Sequence, residues 1–347
     1  MKNFAYFQPT TVAGAVALLD TRWGKVELLA GGTDLLDLQK EYIAQPDKVV
    51  SLSGVKSELF QDGDGQSSQF GNITRDADAK GYGIGAMVKL AAIAENDVLR
   101  REFPALTAAA GQIGGPQIRN MGTLGGNLCQ RNRCWYFRDE HVVCLLKGGR
   151  KCFATDGENQ YHAVFTRGHP CVIVHPSTLA PALIALGATA QIHGAGGAKR
   201  TVNLADFFHA PRNADDREHT LAPNEILWGV HIPAGGLKNA SYEVRHKQSY
   251  DWPLVQAAVA FNLEGGRASQ VKVVLGHVGP TPVIAEAAAK ALEGKAVSEE
   301  SAAAAGNAAT DGAGPALSQN GYKLKLVQVA VKRAILLAAG AKPYWEA

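Results

Sequence analysis

The chain has 347 residues, 46% of them apolar and 19% charged, with a net charge of +3. That length exceeds one ordinary core, the composition is that of a soluble globular protein, and the charge is too small to point to nucleic acid or a membrane surface. No apolar run approaches the roughly 18–20 residues that span a bilayer. Met1-Lys2-Asn3-Phe4 lacks the features of a secretory signal, so the chain alone reads as cytoplasmic.

In chain order, Thr10 or Thr11 caps a short helix over 10–20, where Val12, Val16 and Leu19 recur at helical spacing. Val26 to Ala30 reads as a strand, Leu35 to Ile43 as a helix and Val49 to Leu52 as a strand, which closes a βαβ-like unit. The Gly-, Ser- and Asp-rich stretch 61–72 reads as a hairpin loop or boundary. Tyr82 to Ala86 resembles a strand end, and Ala91 to Ala110 a helix broken near Pro104. Beyond a glycine-rich run (114–127) and a cysteine region (129–171) come an alanine-rich helix at 179–187 and strands at 189–193 and 200–203. Pro211 to Asn224 is charged, holds two prolines and fits an interdomain connection. Alternating stretches at 226–232, 241–247, 255–263 and 271–278 predict a short antiparallel sheet. Helices at 283–293 and 322–340 would pack on one face of it, with 302–313 a mobile connection.

The first chemical motif is Leu28-Leu29-Ala30-Gly31-Gly32-Thr33-Asp34-Leu35. A strand running into two glycines and a helix presents free backbone N–H groups, and the missing side chains admit a pyrophosphate. Asp34 would repel a phosphate, so it suits a helix cap or a ribose hydroxyl. A tight turn without a ligand is the bland alternative. A second small-residue turn, within Gln117 to Asn127, supplies Thr123 and Asn127. Two such turns can grip a dinucleotide from both sides, and neither has the Gly-x-Gly-x-x-Gly spacing of a nicotinamide-binding unit.

All five cysteines fall between 129 and 171. Clustered thiols, odd in number, in a large chain point to metal rather than to a disulfide framework. Their positions, 129, 134, 144, 152 and 171, lack the short paired knuckles of zinc sites. Four thiolates can complete the corners of a [4Fe–4S] cube, and Arg131, Arg133, Arg138, Lys147, Arg150 and Lys151 would offset its negative charge. Irregular zinc is the alternative. His141, His162, His169 and His175 lie in or near this region, and any of them can replace a thiolate. No serine, histidine and acid arrangement stands out, and no acid–base catalyst is expected in this chain.

The succession Ala30 to Leu35, Ile84-Gly85-Ala86, Ile118-Arg119-Asn120 and Gly125-Gly126-Asn127 resembles the flavin subunits of the xanthine dehydrogenase and aldehyde oxidoreductase family, the molybdenum hydroxylases. Ser249-Tyr250-Asp251, Gly276 to Pro282, Tyr322 and Lys332-Arg333-Ala334 agree, so the likeness runs from Phe4 to Leu337. It implies an α+β fold in two parts. A two-lobed FAD-binding domain of the vanillyl-alcohol-oxidase (PCMH) type would occupy 1–222, with lobe one about 1–55 and lobe two about 56–222. Lobe two would carry an iron–sulfur insert at about 129–172. A small α+β domain of the CO dehydrogenase flavoprotein type would occupy 223–347.

By position, the resemblance implies flavin contacts from Ala30, Gly31, Gly32, Thr33, Asp34 and Leu35, and from Thr123, Gly125, Gly126 and Asn127, with Ile113 as an apolar neighbour. Thr178, in Ser177-Thr178-Leu179, stands where the family has an aspartate near the adenosine end. In family members without the insert, the Gly-Gly-Asn loop runs on to that segment. Here Cys134, Cys144, Cys152 and Cys171 intervene and match the [4Fe–4S] ligands of two subgroups, the flavin subunits of hydroxybenzoyl-CoA reductase and of bacterial three-subunit aldehyde oxidoreductases. Asn127 to Phe137 looks closer to the aldehyde group. Cys129 falls where the family has an apolar residue and reads as a buried thiol.

The function implied is electron relay. A large molybdenum-cofactor subunit would hydroxylate the substrate, with aldehyde oxidation to a carboxylic acid preferred. A small subunit with two [2Fe–2S] clusters would pass electrons to FAD, which would deliver them to an external acceptor. A stand-alone FAD oxidase or dehydrogenase and a non-catalytic zinc-binding scaffold are the alternatives. Co-export with a partner subunit would place the protein in the periplasm instead of the cytoplasm.

Overall fold

Strands β1 (Ala5–Phe7), β2 (Val26–Leu29) and β3 (Lys48–Ser51) form a parallel sheet in the order β1-β3-β2. Parallel neighbours need crossovers, which α1 (Val12–Ala17) and α2 (Leu35–Lys40) supply. Thr11 caps α1 by accepting from the Gly14 N–H at 3.0 Å, as expected, and Val12, Ala15 and Val16 are buried. This is a computed structural model that describes residues 1–56, 58–61, 67–76 and 80–342. Strands β4 (Leu59–Gln61) and β5 (Ser67–Gln69) pair antiparallel, so β5 lies within the stretch 61–72 expected as a loop, and residues 62–66 of that stretch lie outside the described residues.

The chain folds as two compact units, each assembled from three stretches. The first holds residues 1–92, 116–151 and 187–234, and the second 93–115, 152–186 and 235–347. In the first, β6 (Ile73–Arg75), β7 (Gly81–Gly85), β8 (Thr189–His193), β9 (Lys199–Asn203) and β10 (Ile226–Pro233) form an antiparallel sheet in the order β6-β7-β10-β8-β9. This corrects one expectation: the strand at 226–232 pairs with β7 and β8, not with the C-terminal strands. Ile226 to Ile232 are all buried, so the strand needs a central position with cover on both faces. Trp228 packs against Phe60 and Phe70 at centroid distances of 5.7 and 5.6 Å. Helix α10 (Leu204–Phe207) follows β9 and buries Leu204 and Phe207.

The helix expected over 91–110 is three helices, α3 (Leu90–Glu95), α4 (Asp97–Glu102) and α5 (Pro104–Gln112). Asn96 makes the extra break, because its side chain accepts from the Val98 and Leu99 N–H groups and caps α4. Pro104 opens α5 at its first position, where no N–H is needed. Short helices α6 (Pro116–Met121), α7 (Leu124–Leu128) and α8 (Trp135–Arg138) carry the second glycine motif and the first cysteines, and α9 (Leu179–Ala185) follows the last cysteine.

In the second unit, β11 (Lys238–Val244), β12 (Val255–Glu264), β13 (Arg267–Gly276) and β14 (Val283–Ile284) form an antiparallel sheet in sequence order. Val255 to Phe261 are buried without alternation, so β12 is covered on both faces. Both α9 and α13 (Tyr322–Ala338) pack on it, and α11 (Glu286–Leu292) and α12 (Glu299–Ala308) complete the layer. The stretch expected to be mobile, 302–313, is largely α12. A capping box between Ser298 and Ser301 starts it, and Ala302 and Ala305 are fully buried.

Candidate functional site

The two glycine loops meet in the first unit. A Cβ on Gly31 would stand 2.1 Å from the Met121 carbonyl oxygen, so this approach requires glycine. Lys89 Nζ donates to the same carbonyl at 2.9 Å. Gly32 has a φ of +76°, and among the described residues the N–H groups of Gly32 and Thr33 have no hydrogen-bond partner. In the second loop, Thr123 caps α7 by accepting from the Gly126 N–H at 3.1 Å, and the Gly125 N–H donates to the Ala86 carbonyl at 2.8 Å. Thr123 and Asn127 are buried while Gly126 is exposed. The result is a surface stripped of side chains beside free N–H donors, which suits a diphosphate.

Ile113 and Thr178 belong to the second unit. Ile113 is half-buried at the end of α5. Thr178 is buried, its Oγ1 lies 3.4 Å from His277 Nε2, and its carbonyl accepts from Gln256 Nε2 at 2.9 Å.

Asp34 occupies the position before α2, yet its side chain makes no capping hydrogen bond. It accepts instead from the Arg131 N–H at 2.9 Å and from Arg138 Nη2 at 2.6 Å, and it pairs with Arg133 Nη2 at 3.0 Å. Arg138 Nη1 reaches Asp37 at 2.6 Å, and its Nε donates to the Asn132 carbonyl at 2.9 Å. A guanidinium fork spanning two carboxylates outcompetes a single cap bond. Arg131 Nε in turn pairs with Glu218 at 2.7 Å, and the Asn132 N–H and side-chain amide donate to Glu218 at 3.0 and 2.8 Å. Glu218 is fully buried. Burial alone would raise its pKa, but Arg131 and the Asn132 hydrogen bonds outweigh this and hold it below the usual glutamate value. Three of the cations expected to offset a cluster's charge are therefore engaged by carboxylates. The legible signal was Asp34-x-x-Asp37 facing the run Arg131-x-Arg133.

All five cysteines are free thiols. Cys134 and Cys144 lie in the first unit, both within electrostatic reach of Lys147, whose pKa is lowered by burial against the pull of Cys144, Asp139 and Cys134. Cys152 and Cys171 lie in the second unit and hydrogen-bond to each other, which brings the Cys152 thiol down to about 5. Cys129 is half-buried, not fully enclosed as expected, and its thiol is pushed up to about 12 by burial. Among the described residues, no three His, Cys, Asp or Glu side chains are grouped to hold a metal ion. No helix among them is long and apolar enough to cross a membrane.

Residues 2–235 match the family described as the FAD binding domain in molybdopterin dehydrogenase, and residues 240–338 match the CO dehydrogenase flavoprotein C-terminal domain. The chain belongs to the molybdenum hydroxylase family, as its FAD-binding subunit, and is thus an oxidoreductase subunit of mixed α+β fold. It is 34% identical over 292 residues to the aldehyde oxidoreductase FAD-binding subunit PaoB of Escherichia coli K12, covering 83% of this chain and 85% of that one. It is 26% identical over 338 residues to the carbon monoxide dehydrogenase medium chain of Hydrogenophaga pseudoflava, covering 96% of each. Carbon monoxide dehydrogenase from the same organism, solved without the Mo-pyranopterin moiety of its cofactor, superposes with a TM-score of 0.72 at 27% identity, covering 97% of each chain.

Proposed function

We propose that this chain holds FAD as the electron relay of an aldehyde-oxidising molybdenum hydroxylase. The observation that carries the proposal is the meeting of the two glycine loops at Gly31 and Met121, with free N–H groups at Gly32 and Thr33. The aldehyde preference rests on identity, 34% to the aldehyde oxidoreductase subunit against 26% to the carbon monoxide one. FAD, when bound, takes and gives electrons singly or in pairs, which suits a relay between iron–sulfur donors and an external acceptor. The chain's own task is binding and orientation. Gly31, Gly32, Thr33, Gly125 and Gly126 line the pyrophosphate, Ala30, Leu35, Thr123 and Asn127 set the loops, and Ile113 and Thr178 are the remaining proposed contacts.

Cys134, Cys144, Cys152 and Cys171 are the proposed ligands of a [4Fe–4S] cluster. That none of the four is in a disulfide, and the match of their positions to the ligands of the aldehyde-type flavin subunits, support this. The proposed partners are a large molybdenum-cofactor subunit and a small subunit with two [2Fe–2S] clusters. The visible spectrum of the purified protein and its copurifying subunits test the reading. Flavin bands, an iron–sulfur shoulder and two further subunits are expected, and a colourless protein ends the proposal. Serine at any of the four positions removes about one four-iron cluster, whereas Cys129→Ser leaves iron unchanged.

A further inference from the structure

We propose that Arg138 is a positioning residue for the flavin: it neutralises Asp34 and draws it aside, so that the Ala30–Leu35 loop offers N–H groups rather than a carboxylate to the pyrophosphate. The proposal rests on the reading of that loop as a flavin loop. An acid directly after Thr33 is an awkward neighbour for a diphosphate, because like charges at short range repel. Asp34 is held by the Arg131 N–H at 2.9 Å, Arg138 at 2.6 Å and Arg133 at 3.0 Å. The Arg138 guanidinium makes four hydrogen bonds, to Asp34, to Asp37 and to the carbonyls of Asn132 and Arg131. The side chains of Arg138 and Asp34 are 13% and 18% exposed, so solvent screens the pair weakly. Their donors come from one tight turn that also carries Cys134, whose N–H donates to Asn132 Oδ1 at 3.1 Å and whose carbonyl accepts from the Arg138 N–H at 3.0 Å. Whatever fixes Cys134 therefore also fixes the guanidinium that masks Asp34.

FAD titration of the deflavinated full-length chain tests this in wild type, R138M, D34N and the R138M/D34N double variant. R138M leaves Asp34 with only Arg133 and the Arg131 N–H as partners, unmasks part of its charge and weakens FAD binding by about tenfold or more. D34N binds FAD more tightly than R138M does, and the double variant regains most of the affinity lost in R138M, because the repelling charge is gone. A merely structural contact predicts the reverse, a double variant as weak as R138M. That result, or wild-type affinity in R138M, overturns the proposal. R138K covers the case in which R138M does not fold. It keeps the charge without the fork and should bind between wild type and R138M, and an R138K as weak as R138M also counts against charge masking. A wild-type chain that binds no FAD refutes the flavin loop itself, whatever the variants do.

Discussion

Two glutamates with enclosed side chains, one in each unit, meet opposite fates. Glu218 in the first unit has Arg131 at 2.7 Å and two hydrogen bonds from Asn132, and it stays charged. Glu243 on β11 of the second unit has only Arg245, at 3.9 Å, and burial pushes its carboxyl up to about 8. His162 and His277 in the second unit follow the same pattern. Burial, with the nearby Lys323 charge, pulls them down to about 4 and about 3, so both are neutral. Glu218 is a paired buried charge, whereas burial leaves Glu243, His162 and His277 neutral. The paired charges lie where the glycine loops and the cysteine turn must be held in register.

The largest expected effect follows from unpairing the first unit. Glu218→Gln leaves the Arg131 guanidinium, 16% exposed, without its counter-charge, which costs about 3 kcal/mol. It should also loosen the Asp34 contact and speed flavin loss. Thermal melting and flavin release are the measurements, and an unchanged melting temperature would sink the idea that pairing holds this region.

Two glycines sharpen the contrast at the level of packing. A Cβ on Gly31 meets the Met121 carbonyl at 2.1 Å, and one on Gly306 of α12 meets the Gln328 carbonyl on α13 at 2.4 Å. Each alanine variant therefore forces backbones apart, at a cost of about 2 kcal/mol. Gly31→Ala should strip flavin, since the loops no longer meet. Gly306→Ala should lower the melting temperature while flavin affinity stays unchanged, despite alanine's better helix propensity. Equal flavin loss in both would show that the glycines do not divide into a ligand role and a packing role.

Much of this was readable from residues alone, and what escaped was non-local. The βαβ start, the Thr11 cap and the two glycine loops follow from local spacing and chemistry. The partner of β10 does not, because a continuous apolar run says that a strand is buried and not which sheet buries it. The partner of Asp34 lies 97 positions away along the chain, so only charge complementarity hinted at it. Helix α12 was missed for another reason. Its alanines look featureless, although Ser298 and Ser301 form a capping box that marks its start.

The neutral histidines predict an acid sensitivity of the second unit. In the unfolded chain they take up protons near pH 6.5, and in the folded one only near 4 and 3. Their contribution is complete above pH 6.5 and is lost as pH falls toward 4, at about 1.4 kcal/mol per pH unit for each histidine. Lys323 links the two, donating to the carbonyls of His162 at 3.3 Å and His277 at 2.8 Å. Melting curves between pH 7.5 and 4.5 should fall steeply in wild type and less so in His162→Gln. Parallel slopes would mean that this histidine is not what the acid attacks.

The smallest effect should come from Glu243, with the opposite sign. A carboxyl raised to about 8 holds its proton in the folded chain and releases it near 4.5 when unfolded. Its contribution is therefore fully present only below pH 4.5 and is lost as pH rises through 8. Glutamine imitates the protonated acid in shape and hydrogen bonding and cannot ionise. Glu243→Gln should melt within about a degree of wild type near pH 4.5, progressively higher than wild type as pH rises toward 8, and still higher than wild type at pH 9. Glu218→Gln should be destabilising throughout, because there the charge is the stabilising form. A Glu243→Gln variant less stable than wild type at pH 9 would mean that Arg245 holds the carboxylate charged after all. The two buried glutamates would then differ in degree and not in kind.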